Sequence, residues 1–192
     1  QEFRDELKSQ VELFISCKEL LNRDKLSKSD PMAVLYMIDD KKKWVEVGRT
    51  EVVRDNLNPQ FVKTFVIDFY FEETQKMLFR IWDIDTKDKY NKTFDKEDFL
   101  GEIQCTLGEI MGMKGQQLTR DVINDYYGGD GPKGTCTIRS EVVTTCKDTV
   151  SFHIIGKKFA LPAILGSFLQ ISRINPDKSY SVVHRSEFIR FK

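Results

Sequence analysis

The chain has 192 residues, 40% of them hydrophobic, enough for one domain of about 130 to 150 residues and a remainder. Its 30 basic and 30 acidic side chains cancel, which excludes a nucleic-acid binder of the diffusely basic kind. No apolar run approaches the roughly 18 residues that a membrane-spanning helix needs, and no signal-peptide pattern is read.

Residues 1–10 read as an N-terminal segment. Val11, Leu13, Ile15 and Cys17 then alternate with Glu12, Phe14 and Ser16, the period of two that marks a half-buried strand. Strands are expected next over Met32 to Ile38, Val45 to Val53, Phe61 to Phe69 and Met77 to Trp82. Phe99, Gly101, Ile103, Cys105 and Leu107 form the apolar side of another, opposite Glu102, Gln104 and Thr106. Leu107 to Met113 is the single short helical stretch, and strands over Gln117 to Val122 and Thr135 to Val143 follow. The run Gly128-Gly129-Asp130-Gly131-Pro132-Lys133-Gly134 reads as the turn before the last of these. It lacks the spacing of a phosphate-binding loop. Eight strands with short turns predict an all-β protein, an eight-stranded antiparallel β-sandwich over residues 11–146.

From Lys147 the pattern begins again. Strands are expected over Val150 to Ile155, Phe168 to Ile174 and Tyr180 to Phe188, and Arg185-Ser186-Glu187 echoes Arg49-Thr50-Glu51. Residues 147–192 therefore read as the incomplete start of a second copy of the same unit. The cysteines, at 17, 105, 136 and 146, include no Cys-x-x-Cys pair and fall mostly within strands. Reduced, buried thiols of a cytosolic protein are the expected state. Asn91-Lys92-Thr93 matches a glycosylation sequon, a chance match in such a protein.

Five aspartates carry the chemistry. In Trp82-Asp83-Ile84-Asp85 two carboxylates alternate at the end of an apolar strand, so Asp83 and Asp85 emerge on one side. Asp24 and Asp30 lie in the loop before the Met32 strand, where Pro31 favours an extended Asp30. Asp98 precedes the Phe99 strand. Carboxylates gathered at one end of a fold repel one another without a cation, and calcium takes about 6 to 8 oxygen ligands, more than one loop supplies. The two loops are thus expected to converge on Ca2+. An EF-hand beginning at Asp83 is excluded, because Asp88 stands where it needs glycine and Phe94 where it needs glutamate.

The motifs Ser29-Asp30-Pro31, Asn56-Leu57-Asn58-Pro59, Trp82-Asp83-Ile84-Asp85 and Asp98-Phe99-Leu100-Gly101-Glu102 together resemble the C2 domain, a calcium- and phospholipid-binding β-sandwich. Val11-Glu12-Leu13, Gly48-Arg49-Thr50-Glu51-Val52, Asp68-Phe69-Tyr70-Phe71-Glu72-Glu73 and Cys105-Thr106-Leu107-Gly108 resemble the first C2 domain of the copine family. The resemblance implies the permuted, type II connectivity. It also implies that Asp24, Asp30, Asp83, Asp85 and Asp98 bind calcium, with Asp88 and Asp95 as alternatives to Asp98. The second unit carries Phe159-Ala160-Leu161-Pro162 where such a loop needs carboxylates, so no calcium is expected there.

The expected function is a calcium-dependent phospholipid-binding module that recruits its protein to anionic membranes. Leu26, Tyr90 and Phe94 would enter the lipid interface, and Lys25, Lys28, Lys87 and Lys89 would meet headgroups. The protein is then expected in the cytoplasm, moving to the plasma membrane or another anionic membrane when calcium rises, with target proteins reached through the rest of the parent chain. The rival reading is a calcium-independent scaffold for protein–protein interaction. An enzyme is not expected: His153 and His184, the only histidines, both lie beyond residue 147, and no nucleophile motif is present.

Overall fold

The computed structural model describes residues 8–23, 27–84, 99–126, 133–144, 151–155, 168–175 and 178–187. The chain divides into two compact units, Gln1–Val142 and Val143–Lys192. In the first, the strands are β1 (Lys8–Lys18), β2 (Pro31–Ile38), β3 (Trp44–Arg49), β4 (Phe65–Tyr70), β5 (Lys76–Asp83), β6 (Phe99–Thr106), β7 (Gln117–Asp121) and β8 (Thr135–Val142). They form two four-stranded sheets in the orders β4-β1-β8-β7 and β3-β2-β5-β6, with every pair antiparallel. The first strand lies between the fourth and the last, the connectivity expected of the permuted form.

Alternation explains the core. Val11, Leu13, Ile15 and Cys17 of β1 are buried, and they share one apolar cluster with Ala33 and Leu35 of β2, Met77, Phe79 and Ile81 of β5 and Ile138 of β8. Residues of both sheets meet there, so the cluster is the filling of a sandwich, and burial of its side chains supplies about 1.5 to 3 kcal/mol each. Helix α1 (Leu107–Gly112) follows β6 directly. It starts with a capping box in which Thr106 Oγ1 accepts from Glu109 N–H and the Glu109 carboxylate accepts from Thr106 N–H.

Three elements differ from the periodic reading. β3 stops at Arg49 rather than continuing to Val53, where the Thr50 hydroxyl accepts the Ala33 N–H at 2.9 Å and takes a donor of the ladder. β4 starts at Phe65 and not at Phe61. The Glu51 carboxylate captures the N–H groups of Val62 and Lys63 at 2.6 and 3.1 Å and so takes the donors that a strand would need. Phe99 does not share the core side with Ile103. A register shift opposite Ile81 and Trp82 pairs Trp82 with Phe99, so Leu100 enters the core cluster and Phe99 joins Met32, Val34 and Trp82 in a separate one.

In the second unit, β9 (Gln170–Ile174) and β10 (Tyr180–Arg185) form an antiparallel hairpin. The buried Asn175 braces its turn by donating to Ser179 Oγ and Ser181 Oγ at 2.8 and 2.9 Å. The strand expected over 150–155 is absent at residues 151–155, which are exposed and take no sheet partner among the described residues. Apolar spacing alone does not make a strand where no described segment pairs with the backbone. Residues 159–162, where the sequence lacks carboxylates, lie outside the described residues.

Candidate metal centre

One end of the first sandwich gathers the segments that leave β1, enter β2 and leave β5. Pro31 pairs with Asp83 across the β2–β5 ladder. Proline begins β2 and has no N–H to donate, a position a strand start tolerates. Asp30, just before it, uses its own backbone instead: its N–H donates to Asp83 Oδ1 at 2.6 Å and its carbonyl accepts from Ile84 N–H at 3.0 Å. Two predicted ligands from separate segments are thereby brought together. Asp83 is only 7% exposed, and a buried carboxylate is costly unless it is hydrogen-bonded or paired, as it is here by the Asp30 N–H.

A residue that the sequence reading did not single out completes this arrangement. Asp55, with φ 51, donates its N–H to Asp30 Oδ1 at 2.7 Å and accepts the Lys28 N–H on its own Oδ1 at 2.8 Å. Asp55 therefore straps the 27–30 segment in place. Positive φ is a conformation that aspartate and asparagine tolerate better than most residues. Nothing periodic marks such a residue, which explains why spacing does not reveal it.

The segment before β2 is closed at its base. Arg23 N–H donates to Ser29 Oγ at 2.9 Å, Ser29 N–H donates to Asn22 Oδ1 at 3.1 Å, and Asn22 Nδ2 donates to the Ser27 carbonyl at 3.1 Å. Ser29 is fully buried, so this clasp is part of the framework. The motif Asn56-Leu57-Asn58-Pro59 acts in the same way on the end of β1: Cys17 N–H donates to the Pro59 carbonyl, Leu20 N–H to the Leu57 carbonyl, and Glu19 N–H to Asn58 Oδ1, all at 2.9 to 3.0 Å. On the β5–β6 side, Trp82 and Phe99 lie 4.9 Å apart between ring centroids, and Phe99 meets Tyr126 edge-on at 5.6 Å. The residues flanking the 85–98 segment are held together by that aromatic contact.

Of the predicted site residues, Asp30, Asp83 and Lys28 are described, and Lys28 is exposed. Asp24, Lys25, Leu26, Asp85, Lys87, Lys89, Tyr90, Phe94 and Asp98 lie outside the described residues, as do the alternatives Asp88 and Asp95. Among the described residues no three His, Cys, Asp or Glu side chains gather to hold a metal. The pair that is described does suit a hard cation. Both are carboxylates, each has one oxygen oriented by a backbone amide, and the Asp30 N–H ties the two residues together where two chain segments converge.

Comparison with known proteins agrees with this architecture. The sequence model of the C2 domain family matches residues 11–122, and the chain belongs to that family. In sequence it is 36% identical over 172 residues to Copine-A of Dictyostelium discoideum, a match that covers 88% of this chain and so extends beyond Val142. The similarity to copines expected from the motifs is thus present, although the chain spans only 27% of that relative's length. In fold it is similar to a C2 domain of a plant extended synaptotagmin 1, with a TM-score of 0.52 at 18% identity over 71% of this chain and 96% of that one. It is also similar to a C2 domain of BON1, with a TM-score of 0.50 at 20% identity over 72% of this chain and 94% of that one.

Proposed function

We propose that the first unit is a non-catalytic, calcium-dependent phospholipid-binding module that brings its parent protein from the cytoplasm to anionic membranes. The observation that carries this reading is the pairing of Asp30 with the buried Asp83, with Asp55 fixing Asp30 from a third segment. Asp24, Asp85 and Asp98, which lie outside the described residues, would complete the ligand set. Leu26, Tyr90 and Phe94 would then contact lipid, and Lys25, Lys28, Lys87 and Lys89 the headgroups. Bound calcium reverses the local negative charge and offers coordination positions to headgroup oxygens. The second unit, which lacks the carboxylate loop, is read as part of a further C2-like unit that binds no calcium.

Co-sedimentation with phosphatidylserine vesicles tests the proposal. Pelleting is expected with calcium and not with chelator. Equal pelleting in both would favour the calcium-independent scaffold instead.

The strap gives a second test. Asp55→Asn keeps both the acceptor and a residue that tolerates positive φ, and calcium affinity is expected to stay near that of the wild type. Asp55→Gly keeps the backbone conformation and loses the acceptor for Lys28 N–H, so affinity is expected to fall about tenfold. Equal affinities for the two variants, measured by isothermal titration calorimetry, would remove Asp55 from the site.

A further inference from the structure

Two of the buried thiols face each other across the strand pair that closes the sandwich. Cys17 of β1 pairs with Cys136 of β8, and both point into the core with exposures of 2% and 0%. Backbone bonding fixes the type of pair. Cys17 N–H donates to the Pro59 carbonyl at 2.9 Å, and the Ile15 carbonyl accepts from Phe61 N–H at 3.1 Å. Both bonds run to the chain leading into β4, on the side of β1 away from β8. Cys17 and Cys136 are therefore a non-hydrogen-bonded pair, the kind in which Cα atoms approach to about 4.5 Å. That separation falls within the window of about 4.4 to 6.8 Å that a disulfide needs.

In the closed sandwich both are free thiols. Contact with the Cys136 thiol, and then burial, push the Cys17 thiol well above its ordinary pKa, which keeps it protonated and unreactive. The pair nevertheless sits at the end of its ladder, one residue from the last position of β1 and one from the first of β8. Ladder ends open more readily than ladder centres, and because the 56–59 segment holds β1 from its other side, the opening that exchange needs is a parting of the β8 end from β1.

We propose that Cys17 and Cys136 are a site of oxidative modification, a latent cross-strand disulfide formed by exchange with a small-molecule disulfide. When the ladder end opens, one cysteine loses its proton to solvent and its thiolate attacks a sulfur of oxidised glutathione. The glutathione S–S bond breaks and one glutathione thiolate leaves. The second protein thiolate then attacks the protein sulfur of the mixed disulfide and expels the second glutathione thiolate. Two protein thiols are oxidised, one glutathione disulfide is reduced to two thiols, and the two protons end on the glutathione. The new bond clamps β8 to β1 and closes the long loop from residue 17 to residue 136.

The test is incubation of the whole chain with oxidised glutathione, followed by thiol titration in denaturant and non-reducing peptide mapping. Two of the four thiols are expected to be lost, in a peptide that joins Cys17 to Cys136, with a melting temperature raised by about 5 to 10 °C and restored by dithiothreitol. Cys136→Ser is expected to abolish both the cross-link and the rise. Four thiols remaining after incubation, a glutathione adduct that never resolves, or a cross-link to Cys105 or Cys146 would each overturn the proposal. The mapping is done on the wild-type chain, so the result does not depend on the variant folding.

Discussion

Replacing Asp83 by asparagine is expected to abolish calcium-dependent pelleting and to weaken calcium binding by about 100-fold or more, while leaving the fold intact. Asparagine retains the oxygen that accepts the Asp30 N–H at 2.6 Å, so the β2–β5 junction keeps its hydrogen bond. What is lost is a negative charge held at 7% exposure on the residue that bonds the Asp30 backbone. Loss of an outer partner of a metal ligand typically costs about 10- to 100-fold in affinity, and loss of a ligand's charge costs at least as much. Without calcium, burial opposes that charge while the Asp30 N–H favours it, and asparagine keeps the acceptor while removing the cost of burying a charge. The melting temperature in chelator is therefore expected to stay level or rise. The increment that calcium adds to the wild type, which follows from binding to the folded state alone, is expected to vanish. Calorimetric scans with and without calcium measure both quantities. An undiminished calcium increment in the variant would remove Asp83 from the site, and a steep fall in chelator would make its role structural.

Gly101→Ala is expected to destabilise the first unit by about 3 kcal/mol or more, through backbone strain and a clash that cannot relax. Gly101 has φ +144, a conformation that side chains rarely adopt. A Cβ there would lie 2.4 Å from Val122 Cγ1 and 2.7 Å from the Ile123 carbonyl oxygen. That carbonyl is held in place, because it accepts from Glu102 N–H at 2.8 Å while Ile123 N–H donates to the Glu102 carbonyl at 3.0 Å. The same glycine sits at the register shift that turns Phe99 toward Trp82 and Leu100 into the core. The change would therefore disturb the base of the 85–98 segment as well as the sheet. A melting temperature lower by roughly 10 °C is expected. A variant within about 1 °C of the wild type would show that the β6 backbone gives way more easily than its hydrogen bonds imply.

Much of the fold was legible because side-chain direction in a strand has a fixed period. Val11, Leu13, Ile15 and Cys17 alternate in sequence and are buried together, and Leu107 to Gly112 forms the expected helix beside its Thr106–Glu109 capping box. Where the reading failed, a side chain had replaced a backbone partner or a residue had been inserted into the ladder. Glu51 takes the amides of Val62 and Lys63 and delays β4, and the shift at Trp82 moves Phe99 to another cluster. Neither event has a period, so neither leaves a trace in apolar spacing.

The candidate site divides along the same line. Local sequence is enough to place carboxylates next to strand ends, since Asp30 precedes Pro31 and Asp83 ends an apolar run. The folded sheet alone settles which of these residues come together, because Pro31 and Asp83 become neighbours through the β2–β5 register across more than fifty residues of chain. It also decided that Asp55 straps Asp30 and that Cys17 opposes Cys136. All three share one cause: strand periodicity is carried by each segment alone, whereas a pairing across segments exists only once the sheets have closed on their shared core.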